Sequence, residues 1–187
     1  MQKFYFEKVY LKDVYVINPF CVEDERGLFI KYFEKETYMK NGINLDTFNE
    51  SFESVSKKGV IRGLHFQEGI QQSKLVRVPY GEILDVVVDI RKDSETFGKY
   101  FKIKLSDYNR KVLFVPKGFA HGFITLSDSA IVSYMCDEKF DPKTDSGIVW
   151  NDKVLNIDWE IDNNNNNVII SDKDRALQTF NEYCKKI

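Results

Sequence analysis

The sequence predicts an all-β domain of antiparallel strands, arranged as a sandwich or a barrel. Three observations carry that expectation. Apolar and polar side chains alternate along short runs, turn-forming residues recur between the runs, and the runs follow one another at short, regular spacing. At 187 residues with 43% hydrophobic content, the chain suits one domain spanning 1–187 with a core of its own.

The elements follow in chain order. Residues 34–41, closed by Gly42, read as a short helix with a glycine stop. A β-rich run covers 74–78. In residues 82–90, Leu84, Val86, Val88 and Ile90 share one face, while Asp85, Val87 and Asp89 share the other. The cleanest alternation comes next: Phe101, Ile103 and Leu105 against Tyr100, Lys102 and Lys104, the pattern of a half-buried strand. Further β-rich runs lie at 112–115, 122–126 and 130–136. Pro79-Tyr80-Gly81, Pro116-Lys117-Gly118, Ser127-Asp128 and Asp141-Pro142 punctuate them. The asparagine run at 163–167 reads as a solvent-exposed loop. In the C-terminal segment 172–187 the expectation is one helix capped by Asp172, with Ala176, Leu177, Phe180 and Tyr183 on its buried face.

Composition excludes several classes. With 27 basic and 29 acidic residues, the net charge of -2 lacks the basic surplus of a general nucleic-acid binder, though it allows a local cationic pocket. Cys21, Cys136 and Cys184 are odd in number and form no CxxC pair, as expected of reduced thiols in a cytoplasmic protein. The opening stretch alternates charged with aromatic residues. It lacks the continuous apolar run of a signal peptide or membrane helix, so no membrane partner is expected.

Only two histidines are available for acid–base chemistry. His65 lies in Gly59-Val60-Ile61-Arg62-Gly63-Leu64-His65-Phe66-Gln67. On a regular strand Arg62 and His65 face opposite sides, but Gly63 between them can mark a bulge that re-aims one. His121 follows the turn at Pro116-Lys117-Gly118, which places its imidazole at the mouth of a β-barrel, within reach of a sheet carboxylate such as Asp85. A facial metal site wants two or three imidazoles plus a carboxylate, and these two histidines do not supply it. No metal and no cofactor are expected.

The stretch Ser56-Lys57-Lys58-Gly59-Val60-Ile61-Arg62-Gly63-Leu64-His65-Phe66-Gln67 resembles the signature of the dTDP-4-dehydrorhamnose 3,5-epimerase family. So do Lys74-Leu75-Val76-Arg77-Val78, residues 81–91 and 116–123, Trp150-Asn151-Asp152, Ile157-Asp158-Trp159 and Ser171-Asp172-Lys173-Asp174. The resemblance runs in one order from about residue 24 to residue 174. It implies a cupin-like antiparallel β jelly roll with short peripheral helices, and a metal-independent isomerase acting on a nucleoside-diphosphate 4-keto sugar. It also implies a homodimer in which N-terminal strands add to the partner subunit's sheet, serving surface polysaccharide such as lipopolysaccharide or capsule.

Inverting a carbon beside a ketone requires a base, an acid on the opposite face, and a cation or donor at the enolate oxygen. By resemblance His65 is the base, Asp174 its carboxylate partner, Tyr134 the acid and Lys74 the enolate-stabilising ammonium. Arg26 and Arg62 match the diphosphate-binding pair; Phe29, Gln67 and His121 are further candidate substrate contacts, as is Glu50, which stands at a substrate-contacting position. Departures fall around the nucleotide base. Where the family commonly has Gln-Asp-Asn-His, this chain has Glu50, Ser51, Phe52 and Glu53, and Lys31 stands where many relatives have Glu. The resemblance makes the dTDP-linked 4-keto-6-deoxy sugar the default substrate, while the departures at the base-contacting positions leave a differently tagged sugar open. A GDP- or CDP-linked hexose or heptose is the alternative; a metal-dependent oxygenase and a non-catalytic sugar-binding module are remoter ones.

Overall fold

The computed structural model describes residues 2–45, 47–161 and 168–187; the asparagine run at 163–167 lies outside them. Among the described residues there are thirteen strands and three short helices. The N-terminal part supplies β1 (Tyr5–Lys8), β2 (Tyr15–Asn18), β3 (Phe20–Asp24), β4 (Gly27–Lys31), α1 (Lys35–Lys40) and β5 (Glu50–Lys57). The middle supplies β6 (Ile61–Gln67), β7 (Lys74–Tyr80), β8 (Glu82–Asp89), β9 (Tyr100–Ser106) and β10 (Val112–Val115). Then come β11 (Phe119–Thr125), β12 (Ser129–Cys136), β13 (Asp145–Gly147), α2 (Asp172–Arg175) and α3 (Phe180–Cys184).

Two antiparallel sheets form, one ordered β1-β2-β10-β7-β12-β5 and the other β13-β6-β11-β8-β9. From β5 onward the chain changes sheet at nearly every connection, so sequence neighbours face each other across a sandwich, as in a double-sheet jelly roll. Val76, Val87, Leu113, Phe123 and Val132 fill the space between the sheets. Leu84, Val86, Val88 and Ile90 instead face a second core, closed by Trp159, Phe180 and Tyr183 of the C-terminal segment. Strand β8 is thus buried on both faces, one apolar and the other carrying Asp85, Val87 and Asp89. A third cluster packs Tyr38 of α1 against Ile17, Leu75 and Phe114.

One expectation needs correction. The C-terminal segment is two short helices, and the cap of the first is Ser171, whose side chain accepts from the Asp174 amide. A second start at Thr179, with Glu182 completing a capping box, breaks the run after Arg175. The break frees the Gln178 carbonyl to accept from the Val149 amide at 2.9 Å. β1 and β2 extend their own chain's sheet through β10, while β3 and β4 form a separate ribbon.

Candidate active site

The site begins with a defect in strand pairing. β6 and β11 are antiparallel with His65 opposite His121, but the register shifts before Arg62 meets Phe123. Gly63 sits at that shift with φ +113, and a Cβ there would lie 2.7 Å from both the Gly122 Cα and the His121 carbonyl oxygen. Only glycine fits. The bulge turns Arg62 to the same side as His65, and both line one cavity.

The C-terminal segment is stitched to β6 on either side of α2. The Ile61 amide donates to the Ile169 carbonyl at 2.9 Å, and Ile148, which exchanges hydrogen bonds with Leu64, bridges Gln178. Asp174 is therefore held over His65, its Oδ1 2.9 Å from His65 Nε2 and its Oδ2 accepting from the Gly63 amide at 3.0 Å. Burial pushes the Asp174 carboxyl up, but the hydrogen bonds from His65 and Gly63 outweigh it and hold the pKa below its ordinary value. An ionised Asp174 only accepts, so His65 Nε2 carries hydrogen and Nδ1 keeps the free lone pair.

His65 shares a chamber of about 190 Å³ with Arg62, Lys74, His121, Ser54, Phe52 and Tyr134. Tyr134 is buried; desolvation, then the nearby Asp85 charge, raise its pKa and keep its proton on. Burial lowers the Lys74 pKa, and Cys136 followed by Asp145, Asp85 and Glu50 pull the other way. Among the described residues Lys74 has no ion-pair partner, whereas Lys117, Lys102 and Lys173 are all paired. His121 Nε2 lies 2.8 and 2.9 Å from the two Asp85 oxygens, and both residues are buried. Its edge meets the Tyr134 ring at 6.1 Å. Arg62 braces β5 through Ser56 Oγ, to which its Nε donates at 3.0 Å.

A second chamber of about 400 Å³ opens from the first across Phe52, His65 and Lys74. Its wall is tied together by polar side chains. Glu50 accepts from Gln72 at 3.2 Å and from the Phe140 amide at 3.0 Å. Gln67 donates to the Ile70 carbonyl at 2.8 Å and accepts from the Asp141 amide at 2.6 Å. Lys173 reaches this wall paired with Asp145. Two larger clefts beside Tyr10, of about 590 and 580 Å³, contain neither histidine.

The structure thus brings together His65, Asp174, Tyr134, Lys74, Arg62, His121, Gln67 and Glu50. It leaves Arg26 and Phe29 outside both chambers of their own chain. Arg26 is 85% exposed and grips Asp24 at 2.6 Å; Phe29 is 61% exposed on β4. Lys31 donates to Glu34 at 2.8 Å just before α1, so it too faces away from the site. Sequence reasoning did not single out Gln72, Phe140 or Lys173, or a contact role for Phe52. The first two and Phe52 show only an unalternating polar stretch or a loop in the sequence, and Lys173 only its place in Ser171-Asp172-Lys173-Asp174.

A model of the dTDP-4-dehydrorhamnose 3,5-epimerase family matches residues 8–182. The dTDP-4-dehydrorhamnose 3,5-epimerase of Methanothermobacter thermautotrophicus is 46% identical over 182 residues, 97% of each chain. Among solved structures, a dTDP-6-deoxy-D-glucose-3,5-epimerase from Legionella pneumophila, in complex with dTDP-4-keto-L-rhamnose, superposes with a TM-score of 0.91 at 37% identity. The match covers 96% of this chain and 94% of that one. A Bacillus anthracis dTDP-4-dehydrorhamnose 3,5-epimerase with TDP and PPi bound gives 0.90 at 40% identity, covering 95% and 100%.

Proposed function

The chain belongs to the dTDP-4-dehydrorhamnose 3,5-epimerase family, and from that premise we propose that it inverts C3 and C5 of dTDP-4-dehydro-6-deoxyglucose using His65 and Tyr134. The observation that carries this reading is the pairing, in one chamber, of an imidazole braced by Asp174 and a phenol that keeps its proton. The dTDP-linked substrates named for the relatives do not favour the GDP- or CDP-linked alternative.

His65 Nδ1 takes the proton from a carbon beside the ketone, and the C–H electron pair moves onto the carbonyl oxygen. Asp174 stabilises the imidazolium so formed. The Lys74 ammonium, without a carboxylate partner of its own, offsets the charge growing on the enolate oxygen. Tyr134 then gives its O–H proton to the opposite face of the carbon, which inverts it, and both groups reset through solvent. The Asp85–His121 pair supports the chamber floor beside Tyr134. Arg62 offers a rigid cation to a diphosphate oxygen at the chamber mouth.

Glu50 and Gln67 act by fixing the wall that carries Phe140, since their polar atoms are committed to it. Arg26 and Phe29 serve the site of a second copy, because the exposed β3–β4 ribbon holds them away from their own. Three free cysteines fit a cytoplasmic enzyme, and among the described residues no helix is long and apolar enough to cross a membrane.

The test is incubation of the purified protein with dTDP-4-dehydro-6-deoxyglucose in deuterated water, followed by NMR. The reading requires deuterium at C3 and C5 and a rhamno-configured product after reduction. His65→Asn should introduce none. A native protein that exchanges neither carbon has a different function.

A further inference from the structure

The inward face of β5 reads Glu50, Phe52, Ser54 and Ser56 by its two-residue period. Three of these are polar, and Glu50 and Ser56 are spent on Phe140, Gln72 and Arg62. Phe52 is the exception, an apolar ring 42% exposed on the wall of both chambers. It lies directly across the strand pair from Tyr134, with ring centroids 4.7 Å apart and planes inclined by only 18°.

Among the described residues the Tyr134 hydroxyl makes no hydrogen bond of good geometry, and only a weak interaction with Ser54 touches it. Ser54 Oγ meets no other partner at hydrogen-bond geometry. A phenol that must deliver a proton to one carbon therefore has at most a weak polar tether in Ser54, and its aim rests mainly on ring contacts. The His121 edge supplies one of these, at 6.1 Å and 76°; the Phe52 face supplies the other. Stacked aromatic pairs hold their geometry through the ring quadrupoles as well as through buried area.

We propose that Phe52 is a positioning residue for the acid, holding the Tyr134 ring so that enolates are captured on the inverting face before they return to His65. The proposal rests on the functional reading above. Once His65 has taken the proton, the enolate carbon has two donors. Return of a proton from His65 restores the original configuration, and transfer from Tyr134 inverts it. In deuterated water the imidazolium proton exchanges with solvent, so return appears as exchange without inversion. Loosening the phenol changes the partition between these routes while leaving proton removal alone. Misplacing a reacting group by about 1 Å costs up to about 10²-fold, so a partial loss of aim is expected to shift the partition about tenfold.

The experiment compares native protein, Phe52→Ala, Phe52→Leu and Phe52→Tyr on dTDP-4-dehydro-6-deoxyglucose in deuterated water. NMR gives the ratio of deuterated but uninverted starting sugar to inverted product. Phe52→Ala and Phe52→Leu should raise that ratio about tenfold with the exchange rate within about threefold of native. Phe52→Tyr, which keeps the stack, should restore the native ratio. Phe52→Leu keeps apolar bulk and carries the test if the alanine variant does not fold. A native ratio in the leucine variant overturns the proposal, as does an equal fall of exchange and inversion, which marks a binding or folding role. Absence of exchange in the native protein is a separate outcome, because it removes the functional reading itself.

Discussion

Replacing Asp174 with Asn keeps the side chain's shape and removes its charge, which isolates what the carboxylate does for His65. In the native structure its two oxygens accept two hydrogen bonds, from His65 Nε2 at 2.9 Å and the Gly63 amide at 3.0 Å. An amide has one accepting oxygen. The Gly63 N–H cannot turn, so the oxygen must face it and the NH2 group must face His65. His65 Nε2 then has to accept, hydrogen moves to Nδ1, and the lone pair aimed at substrate disappears. Fixing the wrong tautomer in an imidazole–carboxylate pair costs about 10⁴-fold in kcat. His65 is 32% exposed, so part of the population can recover the productive tautomer against water. The expected loss is therefore about 10³-fold in kcat, or about 4 kcal/mol of activation free energy. The assay is steady-state epimerisation read by NMR, with circular dichroism to verify the fold. A folded Asp174→Asn protein within tenfold of native would falsify the assignment of Asp174 as the partner that sets the His65 tautomer.

Two further outcomes concern the scaffold. Gly63→Ala puts a Cβ 2.7 Å from two backbone atoms at φ +113, so it should destabilise the fold by at least about 3 kcal/mol in urea denaturation; native stability would mean the bulge is not rigid. Asp89 gives a pH prediction. Burial pushes its carboxyl up, but hydrogen bonds from Arg91, Ser94 and Thr96 bring it down to about 2 from 3.8. A lowered carboxylate pKa contributes stability that is present above the unfolded value and lost as pH falls through the folded one. Asp89→Asn should therefore cost about 2 kcal/mol at pH 7, and the gap to native should close as pH falls from about 4 to 2. Urea midpoints at both ends measure it, and a gap that stays constant across that range contradicts the assignment.

The sheet was legible where one side of a strand meets the core and the other meets solvent or polar neighbours. Residues 100–105 alternate cleanly because β9 turns Phe101, Ile103 and Leu105 to the core between the sheets and Lys102 and Lys104 outward to Glu160. β5 left no such trace. Both of its faces are largely polar, one toward water and one toward the substrate chambers, so apolar periodicity vanishes where the site is built. The Gly63 bulge and the His121–Asp85 contact were both foreseeable, from glycine's conformational freedom and from the placement of Asp85 on a sheet face. The C-terminal helix was misjudged because apolar spacing alone does not register a second cap, and Thr179 with Glu182 supplies one. The wall made by Glu50, Gln67, Gln72 and Phe140 depends on contacts between segments 22 to 90 residues apart, which no local pattern encodes.

The central claim is that two groups work on opposite faces of one sugar ring, and the Tyr134→Phe protein tests it most directly. Incubated with dTDP-4-dehydro-6-deoxyglucose in deuterated water, this variant keeps its base and loses only its acid. The account predicts that C5 continues to take up deuterium at a rate near native while inverted product falls by about 10²-fold or more. If inversion persists undiminished, or if exchange is lost along with it, Tyr134 is not the proton donor and the two-sided mechanism is wrong.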